Sequence, residues 1–166
     1  MKYDRDLDPL RRRNDFRRFA AKATIKIIEF LPNREKGGEN WVINVEPIAR
    51  ELLQSSAFDA ELLLRECLAF REKTQPDDCS TFNTQSMLGG ALLGQKKYTD
   101  AEPLLLKGYE GMKQREKSIP PAAATRIAES LDRLIELYTA TNKPEDVKKW
   151  QAERAKYPAA APAPAR

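Results

Sequence analysis

Glu129, Asp132 and Glu136 recur at three- and four-residue spacing, which puts three carboxylates on one face of a helix. Two carboxylates in one pocket can divide general-acid and general-base work. On an open helix face the same residues make a solvated or partner-facing acidic surface, and that reading suits a chain with no other catalytic group. Gly89-Gly90-x-x-x-Gly94 could tempt a phosphate-loop reading. No strand pattern precedes it and no Gly-Lys-Ser/Thr follows, so the glycines read as points of close helix packing. The chain has no histidine, which excludes a histidine-based triad, general base or metal ligand. Cys67 and Cys79 stand alone, without CxxC spacing, so a zinc site has no support. Arg11, Arg12, Arg13, Arg17 and Arg18 could contact phosphates. Asp4, Asp6, Asp8 and Asp15 are mixed among them and no base-stacking aromatics are interleaved, so a solvated helix face is the simpler account. No catalytic residue, cofactor or metal is assigned.

The elements that must position these side chains are helical. Gly is scarce, and the long segments carry Ala, Leu, Glu, Lys and Arg, the strong helix formers. The chain has 166 residues, enough for one domain with a real core; 41% are hydrophobic and 33% charged. Its net charge of +4 is unevenly placed. Residues 1–36 hold 11 Lys/Arg against 6 Asp/Glu, and the rest hold 18 against 19. No apolar run approaches 18 residues and no apolar region follows Met1. A cytoplasmic protein without a membrane span is expected.

Residues 1–40 read as an irregular N-terminal helical segment closed by a loop from Pro32 to Asn40, with the Gly37-Gly38 pair as breaker. Residues 41–157 read as three helical hairpins. The first pairs Glu46–Gln54, with Pro47 in its first turn, and Asp59–Lys73. The second pairs a helix capped by Asp77 or Asp78, running to Gln95, with one running to Lys117. Thr99-x-x-Glu102 is the expected capping box of that partner. The third starts at a Ser118 cap and ends in a helix capped by Asn142 and carrying Trp150. Residues 158–166 form a Pro/Ala tail without helical pattern.

Within the second hairpin, Gly89 is expected where the two helices cross. Ala101 is expected to face it, with Leu88, Leu92 and Leu105 filling around the pair and Tyr98 plugging the turn. An echo lies 41 positions earlier, where Ala60-Glu61-x-Leu63-Leu64 matches Ala101-Glu102-x-Leu104-Leu105. A helix pair recurring at such a period marks an α-solenoid.

The Leu88-Gly89 … Tyr98 … Ala101 … Leu105 pattern resembles the tetratricopeptide repeat (TPR). Glu66 through Lys73, with Pro76-Asp77-Asp78, Thr81 and Asn83, resembles the longer repeat of kinesin light chains. The run Leu88–Tyr98 with Ala101-Glu102-Pro103-Leu104-Leu105-Leu106 and Gly108-Tyr109-Glu110-Gly111 is similar to C-terminal TPR tails of planctomycete-type bacterial serine/threonine kinases. So is Asp4-x-Asp6-Leu7-Asp8-Pro9-Leu10 with Asp15-Phe16. Gln85 stands where that family carries an aromatic, and Lys96 where it carries a turn glycine.

The resemblance implies an all-α, right-handed α-solenoid of antiparallel helix hairpins, with a groove lined by the first helix of each pair. That places Asn83, Ser86, Gly90, Leu93 and Gly94 in the groove, together with Glu129, Asp132, Glu136 and Thr139. The basic clamp some TPR domains use for a terminal carboxylate is missing from these positions, so an extended or basic segment is the better-suited ligand. The expected role is a non-enzymatic protein–protein interaction module, and the resemblance implies the regulatory tail of a larger kinase-TPR protein. Kinase signatures themselves are absent from the sequence. Nucleic-acid binding through the arginine-rich segment is the alternative. An incomplete array is also expected to be open to self-association.

Overall fold

The computed structural model describes residues 38–120, 123 and 125–157, with side chains from Pro47 onward. The readings of residues 1–37 and of the tail 158–166 lie outside the described residues. Six α-helices and no strand occur among those described: α1 Gly38–Ser55, α2 Ala57–Thr74, α3 Cys79–Gly94, α4 Tyr98–Gln114, α5 Thr125–Ala140 and α6 Pro144–Arg154. Each packs on the next in sequence, and α3 also touches α1 and α5. Helices α1, α3 and α5 start at residues 38, 79 and 125, and their partners at 57, 98 and 144. Both series step by 41 and then 46 residues. The longer second step falls in the α4–α5 connection, which holds a 3-10 turn at Glu116–Ser118 and the buried Ala123.

Helix α3 is the centre of the packing. It gives Met87, Leu88 and Ala91 to a cluster with Ala49, Leu52, Leu63, Leu64 and Cys67. It gives Cys79, Phe82, Leu92 and Leu93 to a second cluster with Ala101, Leu105, Met112, Leu131, Leu134 and Trp150. Having neighbours on most sides, α3 buries nine consecutive residues, Thr81 to Gly89. Its polar members are therefore tied down locally. Thr81 Oγ1 donates to Gln75 O at 2.6 Å, Thr84 Oγ1 to Ser80 O at 2.8 Å, and Gln85 Nε2 to Glu72 Oε1 at 3.2 Å. Both cysteines are buried and are not joined in a disulfide.

The α3–α4 crossing depends on missing side chains. A Cβ on Gly89 would stand 2.7 Å from Leu105 Cγ. A Cβ on Gly108 would stand 2.7 Å from Ser86 N and 2.8 Å from Phe82 O, and one on Gly111 would enter the Phe82 ring. The close approach expected at Gly89 is present, with Leu105 rather than Ala101 as the atom it meets. Ala101, Leu92 and Leu88 are fully buried nearby, and Tyr98 packs half-buried on the same core.

Several helix starts differ from the sequence reading. Helix α1 begins at Gly38, so Gly38–Asn40 are helix rather than loop, and Pro47 lies within it. Pro47 is exposed, where solvent can serve the hydrogen bond its missing N–H forfeits. Asp78 caps α3 as expected, its carboxylate accepting from Ser80 N at 2.7 Å. Ser56 caps α2, its hydroxyl accepting from Asp59 N. Thr99 caps nothing: α4 starts one residue earlier, after Lys97. Asn142 likewise lies outside α6, which starts at Pro144, and Ser118 sits in the 3-10 turn well before α5.

The reason is that backbone closure replaces side-chain capping at these two turns. Lys96 takes φ 62° and Asn142 φ 54°. Lys96 N donates to Leu93 O at 2.8 Å and Lys97 N to Leu92 O at 2.9 Å. Asn142 N donates to Thr139 O at 3.1 Å and Lys143 N to Tyr138 O at 2.9 Å. This is the Schellman arrangement, which satisfies the last carbonyls of one helix and leads directly into the next. It asks for a left-handed residue, and an L-lysine pays roughly 1 kcal/mol there. Lys96→Gly is expected to raise stability by about 0.5–1 kcal/mol after the chain-entropy cost of glycine, read as a higher midpoint in urea unfolding.

One ion pair recurs at both hairpin joints. Lys97 Nζ lies 3.0 Å from Glu61 Oε2, and Lys143 Nζ lies 3.4 Å from Glu102 Oε1. Glu61 also accepts from Gln95 Nε2 at 2.7 Å and from Arg65 Nε at 2.8 Å. Burial pushes the Glu61 carboxyl up, but the bonds from Lys97, Gln95 and Arg65 outweigh it and hold the pKa at about 2. A carboxyl depressed in the folded state stabilises fully above its unfolded pKa and loses that contribution as pH falls through the folded one. The Glu61 share should therefore be intact at pH 6 and fade between pH 4.5 and about 2. Glu61→Gln is expected to cost about 1–2 kcal/mol at pH 7 and less at pH 3, shown by melts at the two pH values.

Candidate partner-binding cleft

Helices α1, α3 and α5, the first members of the three hairpins, enclose a cleft of about 500 Å³. Helix α1 contributes Arg50, Leu53 and Gln54, and α3 contributes Gly90 and Gly94. Helix α5 contributes Glu129, Asp132, Arg133 and Glu136. The four-residue spacing of the two glycines puts both on the one stripe of α3 that its neighbours leave open. Leu53 has one side on the α1–α3 core and the other on the cleft.

Gly90 makes room for an arginine. A Cβ there would stand 2.9 Å from Arg133 Cδ, so the Arg133 stem lies across the bare backbone of α3. Its Nη1 donates to Ser86 Oγ at 3.2 Å, and its Nη2 lies 3.6 Å from Glu129 Oε2. Burial lowers the Arg133 pKa and the Glu129 carboxylate opposes that shift; the guanidinium stays charged at any working pH. The other Glu129 oxygen, Oε1, receives Arg50 Nη1 at 2.9 Å and Thr125 Oγ1 at 3.2 Å. One carboxylate thus ties α1 to α5 and holds an arginine at each oxygen.

Asp132 lines the cleft with one side and pairs with α6 on the other, its Oδ1 2.7 Å from Arg154 Nε. Glu136 makes no hydrogen bond or ion pair among the described residues and is exposed.

The residues expected in a groove divide into two groups. Gly90, Gly94, Glu129, Asp132 and Glu136 meet in the cleft. Asn83 and Ser86 are completely buried, and Leu93 is a core residue. Asn83 Nδ2 donates to Met87 Sδ at 3.6 Å within its own helix. Thr139 is exposed on α5 but does not line the cleft. The correction for Asn83, Ser86 and Leu93 has one cause: with neighbours at α2, α4, α1 and α5, α3 has too narrow an open stripe to show them. Arg50 and Arg133 are cleft residues that sequence reasoning passed over. Arg133 follows Glu129 by four residues, a pair that marks a helix-surface ion pair. Nothing local to Arg50 points to a residue 79 positions away.

Among the described residues no group of His, Cys, Asp or Glu could hold a metal ion, and no helix is long and apolar enough to cross a membrane. No family model matches the chain, and no curated protein matches it significantly.

Proposed function

We propose that the chain is a TPR-like interaction module, a right-handed α-solenoid of three hairpins that takes an extended segment of a partner protein in the α1–α3–α5 cleft. The observation that carries this reading is the cleft itself, because its walls come from the first helix of every hairpin. Two features support the repeat architecture: the same 41- and 46-residue steps in both series of helix starts, and the contacts of α3 with α1 and α5 across hairpins. The glycine floor lets a backbone approach closely, and the polar walls offer hydrogen bonding along an extended strand of ligand. The resemblance to kinase-attached repeats supports a place as the regulatory tail of a serine/threonine kinase.

The test uses Gln54, which is exposed and lines the cleft. Gln54→Trp fills the cleft without touching a core residue. Partners captured from native lysate by the wild-type chain and identified by mass spectrometry should be lost by this variant, with the thermal melt unchanged. Equal capture by both proteins would place binding elsewhere on the surface and end the reading.

A further inference from the structure

We infer that Glu129 sets the charge preference of the cleft: by engaging both arginines, it leaves Glu136 and Asp132 to receive a cationic side chain of the bound segment. The inference rests on the reading of the cleft as a peptide site and names the chemistry that site selects. Arg50 and Arg133 reach in from different walls. Unpaired, two guanidinium forks in one cleft would make a carboxylate or phosphate trap. They are not unpaired, since Glu129 presents Oε1 to Arg50 at 2.9 Å and Oε2 to Arg133 at 3.6 Å. Arg133 is further fixed by Ser86 and by its seat over Gly90. A ligand carboxylate would have to displace a carboxylate already in place.

The remaining charged wall is acidic. The cleft lining carries two arginines against three carboxylates. Glu136 has no partner among the described residues, and Asp132 stands one helical turn before it with a side chain 56% exposed, held only by Arg154. Residues four apart on a helix are near enough for one ammonium or guanidinium group to reach both. A lysine or arginine of a bound segment gains an ion partner there at little cost in desolvation, whereas an acidic residue gains none.

The test is fluorescence anisotropy with three labelled peptides of equal length: Lys/Ala/Gln, Glu/Ala/Gln and Ser/Gly/Gln. The wild-type chain should prefer the lysine peptide over the glutamate peptide by about twofold to fivefold, the scale of exposed ion pairs. Glu136→Gln should lower lysine-peptide affinity by about threefold to fivefold. Glu129→Gln, with its melt recorded as a folding control, should release both arginines and reverse the preference. Arg50→Gln alters the more exposed end of the same network and should shift preference the other way, toward the lysine peptide. A wild-type preference for the glutamate peptide, or a ratio that neither Glu129→Gln nor Arg50→Gln moves, overturns the inference. If all three peptides bind alike and Gln54→Trp abolishes binding, the peptide site stands and the charge assignment falls. If none binds to any of these proteins, both fall together.

Discussion

A single methyl group added at Gly108 is expected to lower the melting temperature by about 4–12 °C, an overpacking cost of about 1–3 kcal/mol. The new Cβ would stand 2.7 Å from Ser86 N and 2.8 Å from Phe82 O. Both atoms belong to the backbone of α3, so no rotamer change relieves the clash; α3 and α4 must separate. Separation weakens every contact the two helices share, including Leu105 against Gly89 and Phe82 against Gly111. Helix propensity works in the opposite direction, favouring alanine by about 1 kcal/mol, so a net loss isolates the packing effect. Gly90→Ala is the control. Its Cβ meets no backbone, only the Arg133 side chain at Cδ, Nε and Cγ, so its melting temperature should fall much less than that of Gly108→Ala. Gly89→Leu is expected to be at least as damaging as Gly108→Ala, because Leu105 Cγ and the Leu105 backbone N at 3.1 Å both stand in the way. Wild-type stability of Gly108→Ala in calorimetry would show that α3 and α4 do not approach this closely.

Trp150→Ala is expected to cost about 3–5 kcal/mol, the range for removing a large buried aromatic. Trp150 is the one buried side chain of α6, with Val147 half-buried on the same core. Its ring meets Tyr109 edge-on at 5.2 Å and lies parallel to Tyr138 at 6.5 Å. Polar bonds surround this seat: Tyr109 Oη donates to Glu153 at 3.1 Å, and Arg154 pairs with Asp132. Burial, with Glu153 adding to it, raises the Tyr109 phenol above its ordinary pKa, so the hydroxyl keeps its proton and its role as donor. Without the indole these partly exposed bonds contribute too little to hold eleven residues. Limited proteolysis should then cut at Lys148 and Lys149 well before any site in α3 or α4. Trp150→Phe should cost much less, since it keeps a ring against Tyr109 and Tyr138. Equal protease resistance of Trp150→Ala and wild type would mean α6 is held by its ion pairs instead.

Much of the helical order was legible in the sequence because its signals are local. Asp78 caps α3 with its own carboxylate, and the 41-residue echo puts Ala60 and Ala101 at equivalent places, the fourth residue of α2 and of α4. The misplaced starts at Thr99 and Asn142 show where local signals mislead. Both look like side-chain caps, yet the turn is closed by backbone bonds around the left-handed Lys96 and Asn142. Only the resemblance, with its turn glycine at the place of Lys96, points to that conformation; a lysine has no local preference for it. The start of α1 at Gly38 was hidden for a related reason: the Gly-Gly pair reads as a breaker and Pro47 as a first-turn proline, and packing of Ala49 and Leu52 against α2 and α3 outweighs both signals.

What the sequence by itself determined is the all-helical character of the chain, the rough order of its helices and the acidic face of α5, because apolar period, helix breakers and charge spacing are properties of neighbouring residues. Which face of α3 stays open was decided only by the tertiary structure. Four helices surround it, so Asn83, Ser86 and Leu93 are buried while Gly90 and Gly94 line the cleft. The electrostatics of the cleft were decided there too. Glu129 is one more acid in a row of three until α1 brings Arg50 to one of its oxygens and Gly90 lets Arg133 lie flat enough to reach the other.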